Sequence, residues 1–529
     1  MRRDRAIEDV STAIGKKRGG TKAARVVPAL TIVAHPNADR VGERALLDAL
    51  APGKELELSR NAPDFTRPGA VLGAGLGDPF VSRKPIRLAP TESGGIVLRA
   101  GDAGTDVVVG ARVRGSVEIE AADIDAGVPI TLADRVVLLL HRIELDVEDG
   151  PVALGMIGQS AGIRRVRSML ERVADLPVPV LIRGETGTGK ELVARALHER
   201  SPRRQKPFVS VNLGAIPREL AAAELFGTEK GAFTGATSDR SGFFRAAQGG
   251  TLFLDEVGEA PPEVQVMLLR VLEAGEFYPV GGRTPHSTDV RLVAATDANL
   301  EEHIREGRFK APLLHRLAGY ELRLPPLRER REDLGILLHH FAREELQSIG
   351  EAHKLAPKDP YAEPWMPATL AARLVRFSWP GNIRQLRNVA RQLVIGSRGQ
   401  ARLLVDPRLD AELEERAPAP APGGSAPSAR EAASAPRRKP SDVHEEELTA
   451  ALQEHAWDLK AAADKLGIPR SSMYDLIERC PSIRTAGDLR AEEIERSHRE
   501  HAGDLDRMAA ALKVSRRALQ RRVKEMGLG

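Results

Sequence analysis

The chain of 529 residues has a single cysteine, Cys480. That excludes an internal disulfide framework and a four-cysteine zinc site, and it suits a reducing cytoplasm. Long apolar runs are also missing. The longest strongly apolar stretch, VVLLL at 136–140, is far short of the ~20 residues that cross a bilayer. The N-terminal MRRDRAIEDV carries basic residues without a following apolar segment, which does not read as a secretion signal. Nor is there a large excess of one charge: Lys+Arg total 78 and Asp+Glu 74, a net +4. Bulk charge therefore does not mark a nucleic-acid binder, and local clusters must decide. Hydrophobic residues make up 42% and charged residues 29%, a soluble globular balance. At ~150 residues per domain the length predicts several domains. The expectation is a multidomain cytoplasmic protein with no membrane association.

Texture along the chain divides it further. Residues 1–27 form a basic Gly/Ala/Lys-rich tail with little to bury, expected to be disordered. Over 28–145 come short β-branched runs between Gly, Pro and Asp: LTIVA (30–34), ELELS (55–59), GIVLRA (95–100) and RVVLLLH (135–141). This predicts a small β-sandwich. From 156 to 325, buried-strand runs alternate with helical patterns: PVLIRG, PFVSVN, GTLFLDE and VRLVAAT. Such alternation predicts an α/β domain with a parallel sheet. Residues 326–409 read as helical, and 410–442 as an Ala/Pro/Ser-rich linker. Over 443–529 lies an internal repeat: HAWDLKAAADKLGIPRSSM at 455 aligns without a gap to HAGDLDRMAAALKVSRRAL at 501. Two all-α units on one plan are expected, each a helix, a turn and a second helix, as in a tandem helix-turn-helix.

The chemistry concentrates in the α/β segment. GETGTGKE, comprising Gly184, Glu185, Thr186, Gly187, Thr188, Gly189, Lys190 and Glu191, sits between a strand pattern and a helix pattern. Its glycines let backbone N–H groups turn inward, and the helix N-terminus adds positive potential, so the loop suits phosphates. Lys190 is expected against the β- and γ-phosphates. The generic pattern has Ser or Thr after the lysine; here Glu191 follows. Downstream, GGTLFLDE ends an apolar strand in two carboxylates, suited to Mg²⁺ at Asp255 and to polarising water at Glu256. A chance glycine loop and a solvated acidic strand end are the plainer readings, and both lose weight when the two motifs occur together.

Between these motifs lies ELFGTEKGAFTGA (224–236), with LPPLRERREDL (324–334) and WPGNIRQLRN (379–388) beyond. On these motifs, over about 157–405, the chain resembles the AAA+ domain of bacterial sigma-54-dependent transcriptional activators, the enhancer-binding proteins. The resemblance implies an ATPase using ATP and Mg²⁺, working as a homo-oligomeric ring on sigma-54 RNA polymerase. It implies that Gly231, Ala232, Phe233, Thr234, Gly235 and Ala236 form the loop engaging sigma-54. It implies that Asn212 restrains the catalytic Glu256, that Arg384 of the lid senses the γ-phosphate, and that Arg316 acts across a subunit interface. Departures from the family pattern are Lys310 at its first trans arginine, Pro312 at a nearby acidic position, and Asp297 in place of a sensor asparagine. Lysine keeps the charge but loses the bidentate fork; an added carboxylate near phosphates must be paired or turned away.

The N-terminal segment resembles a forkhead-associated domain in LSR (58–60), GDPFVSRKP (77–85), GTDVVVGARV (104–113) and ITLADRVVLL (130–139). Arg60, Ser82 and Arg83 are then the expected donors to a phosphothreonine protein or to a serine/threonine kinase. Pro85 and Ala103 stand where that family has His and Asn. The C-terminal units resemble Fis-type helix-turn-helix domains. Over 501–529 seven Lys/Arg face three acidic residues, whereas over 455–483 the counts are four and four. Arg516, Arg517, Arg521 and Arg522 in the second unit are therefore the expected contacts to upstream enhancer DNA. Together these features predict an ATP-dependent transcriptional activator regulated by a phosphopeptide-sensing domain. The alternatives are a DNA-binding regulator with impaired ATPase and an AAA+ remodelling chaperone without promoter function.

Overall fold

The structure is a computed structural model. It describes residues 25–101, 104–145, 155–231, 238–355 and 359–415, with shorter stretches at 445–454, 465–466, 489, 491–501, 505–512, 519 and 522–523. It divides into two units, 1–420 and 421–529.

The first unit begins with two antiparallel sheets. One runs β2 (Arg44–Leu46), β1 (Val26–Ala34), β10 (Val136–Glu144), β9 (Val128–Leu132), β6 (Val107–Val109) and β7 (Ala111–Arg112). The other runs β3 (Leu56–Leu58), β4 (Ile86–Pro90), β5 (Ile96–Arg99) and β8 (Ser116–Ile119). They share one core, in which Leu30, Ile32, Leu138 and Leu140 meet Leu58, Ile86, Leu88 and Leu98. The period of two in a strand sends alternate side chains to opposite faces. In β10, Val136, Leu138 and Leu140 enter this core, while Val137 and Leu139 join a second core beneath the sheet. That is why VVLLL reads as a continuous apolar run: both faces of β10 are covered.

The α/β segment holds a parallel sheet of β12 (Phe208–Asn212), β13 (Thr251–Asp255), β14 (Arg291–Thr296), β11 (Val180–Arg183) and β15 (Tyr320–Arg323), in that order. Helices Ala161–Val173 and Lys190–Glu199 cover one face through Val166, Leu170, Val193 and Leu197. Helices Arg218–Phe226, Pro262–Ala274 and Ala311–Leu317 cover the other through Leu225, Val264, Leu268 and Leu313. Both faces being covered accounts for the apolar strand runs.

Helices Leu334–Ser348, Ala368–Arg376 and Asn382–Gly396 follow as a lid around Trp379, Phe377 and Leu386. The lid start is anchored by fully buried Asp333, which accepts the Ser160 N–H at 2.9 Å and the Ser160 hydroxyl at 2.6 Å. Ser160 itself caps the helix Ala161–Val173. The β-rich domain packs on this lid: Val33, Ala34, Val137 and Leu139 share a core with Leu334, Leu338 and Ala342. Arg135 reinforces the junction, pairing with buried Asp78 at 3.0 Å and donating to the Pro360 carbonyl at 2.9 Å.

In the second unit, helices Ala491–Glu500 and Leu505–Leu512 meet around Ile494, Met508, Leu519 and Val523, and a further helix spans Glu445–Glu454. Nearly all of the first repeat, with Cys480, lies outside the described residues. Among the described residues no helix is long and apolar enough to cross a membrane.

Candidate functional site: the phosphate loop under the lid

The GETGTGKE loop leaves β11 and enters helix Lys190–Glu199. Gly187 and Gly189 take φ +80° and +98°, a left-handed conformation that favours glycine. Lys190, largely buried, donates from Nζ to the Gly184 carbonyl at 2.8 Å, and the Thr188 hydroxyl donates to the Glu185 carbonyl at 2.7 Å. The loop carbonyls therefore turn toward the protein's own donors, the arrangement that frees N–H groups to face a phosphate. Glu191 points outward and pairs with Arg195 at 3.7 Å, one helical turn on.

Asp255 ends β13 level with Asn212, its register partner on β12. The Glu256 N–H donates to Asp255 Oδ1 at 3.0 Å. Glu256 adopts φ +55°, a left-handed geometry costly for a side chain with a Cβ and concentrated at active sites. Its carboxylate overhangs Gly214, where an added Cβ would lie 2.1 Å from Glu256 Oε2 and 3.3 Å from Asn212 Oδ1. Asn212 Oδ1 accepts the Ala215 N–H at 3.1 Å. The two expected partners are thus neighbours across Gly214. A magnesium site needs only one or two protein carboxylates beside phosphate and water, and the single carboxylate of Asp255 at the strand end, its Oδ1 accepting the Glu256 N–H, fits that demand. Among the described residues there is no group of three or more His, Cys, Asp or Glu that could hold a metal by itself.

The sensor position is paired: the Thr186 hydroxyl donates to the Asp297 carboxylate. Arg384 sits on the lid directly over the loop, where its N–H donates to the Gly187 carbonyl at 3.3 Å and a Cβ on Gly187 would lie 3.1 Å from its own. Arg316 is exposed on helix Ala311–Leu317 and pairs with Glu273 at 3.4 Å, a solvent-facing geometry of small intrinsic worth. Lys310 is the N-cap residue of that helix, its N–H bonded to Gln265 Oε1 at 2.9 Å.

Three features escaped the sequence reading. Beside the loop opens a cleft of about 180 Å³ lined by Met156, Ile157, Leu192, Leu337, Phe341 and Ile383. An apolar slot next to a phosphate cradle fits a planar base. Asn382 is fully buried at φ +50° and bonds the loop. Arg328 grips Glu185 with two hydrogen bonds of 2.8 and 2.6 Å, and holds that carboxyl below its usual range chiefly through them. The only signal in the sequence was the Pro-Gly-Asn turn before the lid helix.

Of the expected sigma-54 loop, Gly231 is described, at φ +86°; Ala232, Phe233, Thr234, Gly235 and Ala236 lie outside the described residues. The base of that loop is pinned. Thr228 and Arg240 exchange backbone hydrogen bonds of 2.9 and 3.0 Å, and the Lys230 N–H bonds Asp239 at 2.8 Å. In the β-rich domain Arg60 and Ser82 come together. The Arg60 guanidinium donates to the Val81 carbonyl at 2.8 Å and to the Pro79 carbonyl, while Arg83 is exposed. Ser82 accepts the Lys84 N–H at 3.0 Å and its own N–H bonds Thr105. Arg516, Arg517 and Arg521 lie outside the described residues; half-buried Arg522 adjoins the core residue Val523.

Residues 156–323 match the Sigma-54 interaction domain, and 328–423 match the AAA+ ATPase lid domain. The central region is an AAA+ ATPase. ATP is accordingly its nucleotide, and the phosphate loop, strand-end carboxylates and lid described above belong to this domain. Residues 440–476 match the Fis family of bacterial regulatory proteins, so a helix-turn-helix begins the C-terminal unit; the match falls on the first repeat. Among curated relatives, the DNA-binding transcriptional regulator NtrC of Salmonella typhimurium is 41% identical over 314 residues, 59% of this chain and 65% of that protein. The nitric oxide reductase transcription regulator NorR1 of Cupriavidus necator is 41% identical over 347 residues, 63% of this chain and 65% of that protein. The chain thus spans about 65% of the length of these relatives. A crystal structure of NtrX from Brucella abortus in complex with ATP shares 30% identity over 70% of this chain and 69% of that one, with a TM-score of 0.43.

Proposed function

We propose that the chain is an ATP-driven transcriptional activator that binds upstream DNA and remodels sigma-54 RNA polymerase. The observation that carries this reading is the phosphate loop level with Asp255 and Glu256, in a domain whose inserted loop reads GAFTGA. In this reading Lys190 leaves the loop carbonyls for the β- and γ-phosphates. Asp255 holds magnesium, which when bound neutralises phosphate charge. Glu256 takes a proton from water as that water attacks the γ-phosphorus, and the bond to the β–γ bridging oxygen breaks to give ADP and phosphate. Asn212, across Gly214, restrains Glu256 until a partner engages. Arg384 reads the γ-phosphate from the lid, and Arg316 exchanges Glu273 for the nucleotide of a neighbouring subunit in a homo-oligomeric ring.

The tandem helix-turn-helix units supply the DNA address, with Arg516, Arg517, Arg521 and Arg522 toward phosphates and bases. The β-rich domain is read as forkhead-associated, with Ser82 and Arg83 toward a phosphothreonine protein and Arg60 shaping the loop. Its contact with the lid supports a regulatory role, because helix Leu334–Ser348 presents Leu334 and Leu338 to the β-rich domain and Leu337 and Phe341 to the nucleotide cleft. The test is ATP turnover together with sigma-54 capture. An activator shows both; a DNA-binding regulator with impaired ATPase lacks turnover; a remodelling chaperone turns over ATP without sigma-54.

A further inference from the structure

We propose that Arg328 and Asn382 are positioning residues that shape the phosphate loop from the lid side. The proposal rests on the reading that this loop binds ATP. A phosphate loop needs its N–H groups inward, so its carbonyls must face outward and find donors there. The carbonyls of Gly184 and Glu185 find them within the loop, at Lys190 and Thr188. Those of Thr186 and Gly187 do not: their donors come from the lid. Asn382 Nδ2 donates to the Thr186 carbonyl at 3.1 Å, and the N–H groups of Ile383 and Arg384 donate to the Gly187 carbonyl at 3.0 and 3.3 Å.

Asn382 suits the task. Asparagine tolerates the left-handed φ of +50° found here, and one amide both accepts and donates. Its Oδ1 takes the Leu327 N–H at 2.8 Å, while Nδ2 also reaches Glu185 Oε2 at 3.0 Å. Leu327 precedes Arg328, whose fork holds the same Glu185 carboxylate. The seam admits no extra atom: a Cβ on Gly187 would lie 2.4 Å from the Gly381 carbonyl oxygen. The Glu185 and Arg328 side chains are each 41% exposed, so their pair adds little to stability. Its geometric consequence is larger, because it fixes the second residue of the loop. Loop shape, and with it ATP affinity, then follows lid position.

The experiment is calorimetric titration of MgATP and MgADP into the full chain, with steady-state ATPase assays alongside. Arg328→Ala and Glu185→Gln are each expected to weaken ATP binding about tenfold, the scale of one charge-assisted hydrogen bond. The double variant is expected to be no worse than either single one, since both break the same contact. Arg328→Lys falls between, because it keeps the charge without the fork. KM rises in these variants while kcat changes less, a split that general loosening of the fold does not produce. Asn382→Gly keeps the backbone geometry and removes the amide, and is expected to weaken ATP further. Should it fail to fold, the exposed Arg328 variants still decide the matter. ATP affinity within twofold of wild type in Arg328→Ala, or fully additive losses in the double variant, overturns the proposal. Wild-type chain that binds no MgATP, like Lys190→Ala, overturns the underlying reading and the proposal with it.

Discussion

Gly335, in the first turn of the lid helix, lies against the main chain of Val33 in β1: a Cβ there would stand 2.6 Å from the Val33 carbonyl oxygen and 2.9 Å from its Cα. Both partners are backbone, so neither can swing aside. Substitution should therefore wedge the β-rich domain off the lid, at a cost of about 1–3 kcal/mol. Gly335→Val is expected to lower the thermal midpoint of the first unit and to change the KM for ATP, since the same helix lines the cleft beside the phosphate loop. Calorimetric melting and ATPase assays on the full chain read both effects. An unchanged KM in a destabilised variant would show that the junction is structural without being coupled to the nucleotide site.

A second prediction separates binding from chemistry. Lys190→Ala removes the cation expected at the phosphates and should abolish nucleotide binding. Glu256→Gln keeps the shape of the site but removes the base, and should bind ATP without turning it over. Normal hydrolysis by the Glu256 variant would remove Glu256 from its assigned role.

The phosphate loop was legible because its glycines, lysine and flanking strand and helix are contiguous, as were the Asp-Glu at the end of β13 and the parallel-sheet pattern around them. The junctions were not. The apolar run in β10 announced a strand, but its second buried face is made by lid residues near 338 and 342, some 200 positions downstream. No local pattern carries that distance. Arg328 and Asn382 were invisible for the same reason. An arginine among arginines in LRERR, and an asparagine in a turn, acquire roles only when the fold brings Glu185 and Thr186 to them.

The pH dependence of stability is a third consequence. His141, buried on the face of β10 that also carries Val137 and Leu139 and 2.8 Å from the Thr31 hydroxyl, is held down from 6.5 to about 3, first by burial and then by the nearby Arg44 charge. The folded chain keeps this imidazole neutral while the unfolded chain protonates it below about 6.5. Stability is thus lost as pH falls from about 6.5 toward 3, by up to ~1.4 kcal/mol per pH unit from this group. His141→Gln should flatten the acid limb of a urea-melt series between pH 6.5 and 4. A slope equal to wild type would assign the acid sensitivity elsewhere.

The charge contrast between the repeats gives a fourth. Each Lys or Arg that neutralises a DNA phosphate releases counterions, so removing it lowers affinity and flattens the salt dependence. Arg517→Ala with Arg521→Ala should weaken binding to the chain's own enhancer far more than Arg470→Ala with Arg479→Ala. A salt titration of affinity decides it. A larger loss from the Arg470/Arg479 pair would make the first repeat, where the Fis match falls, the principal reader.

The most direct measurement of the central claim is capture of sigma-54 in the presence of an ATP transition-state analogue, with ATP turnover measured on the same preparations. Wild-type chain should capture sigma-54 only with the analogue. Thr234→Ala should turn over ATP at close to the wild-type rate and capture none, because Thr234 belongs to the inserted loop and not to the phosphate site. Equal capture by Thr234→Ala, or capture that ignores the nucleotide, would contradict the account.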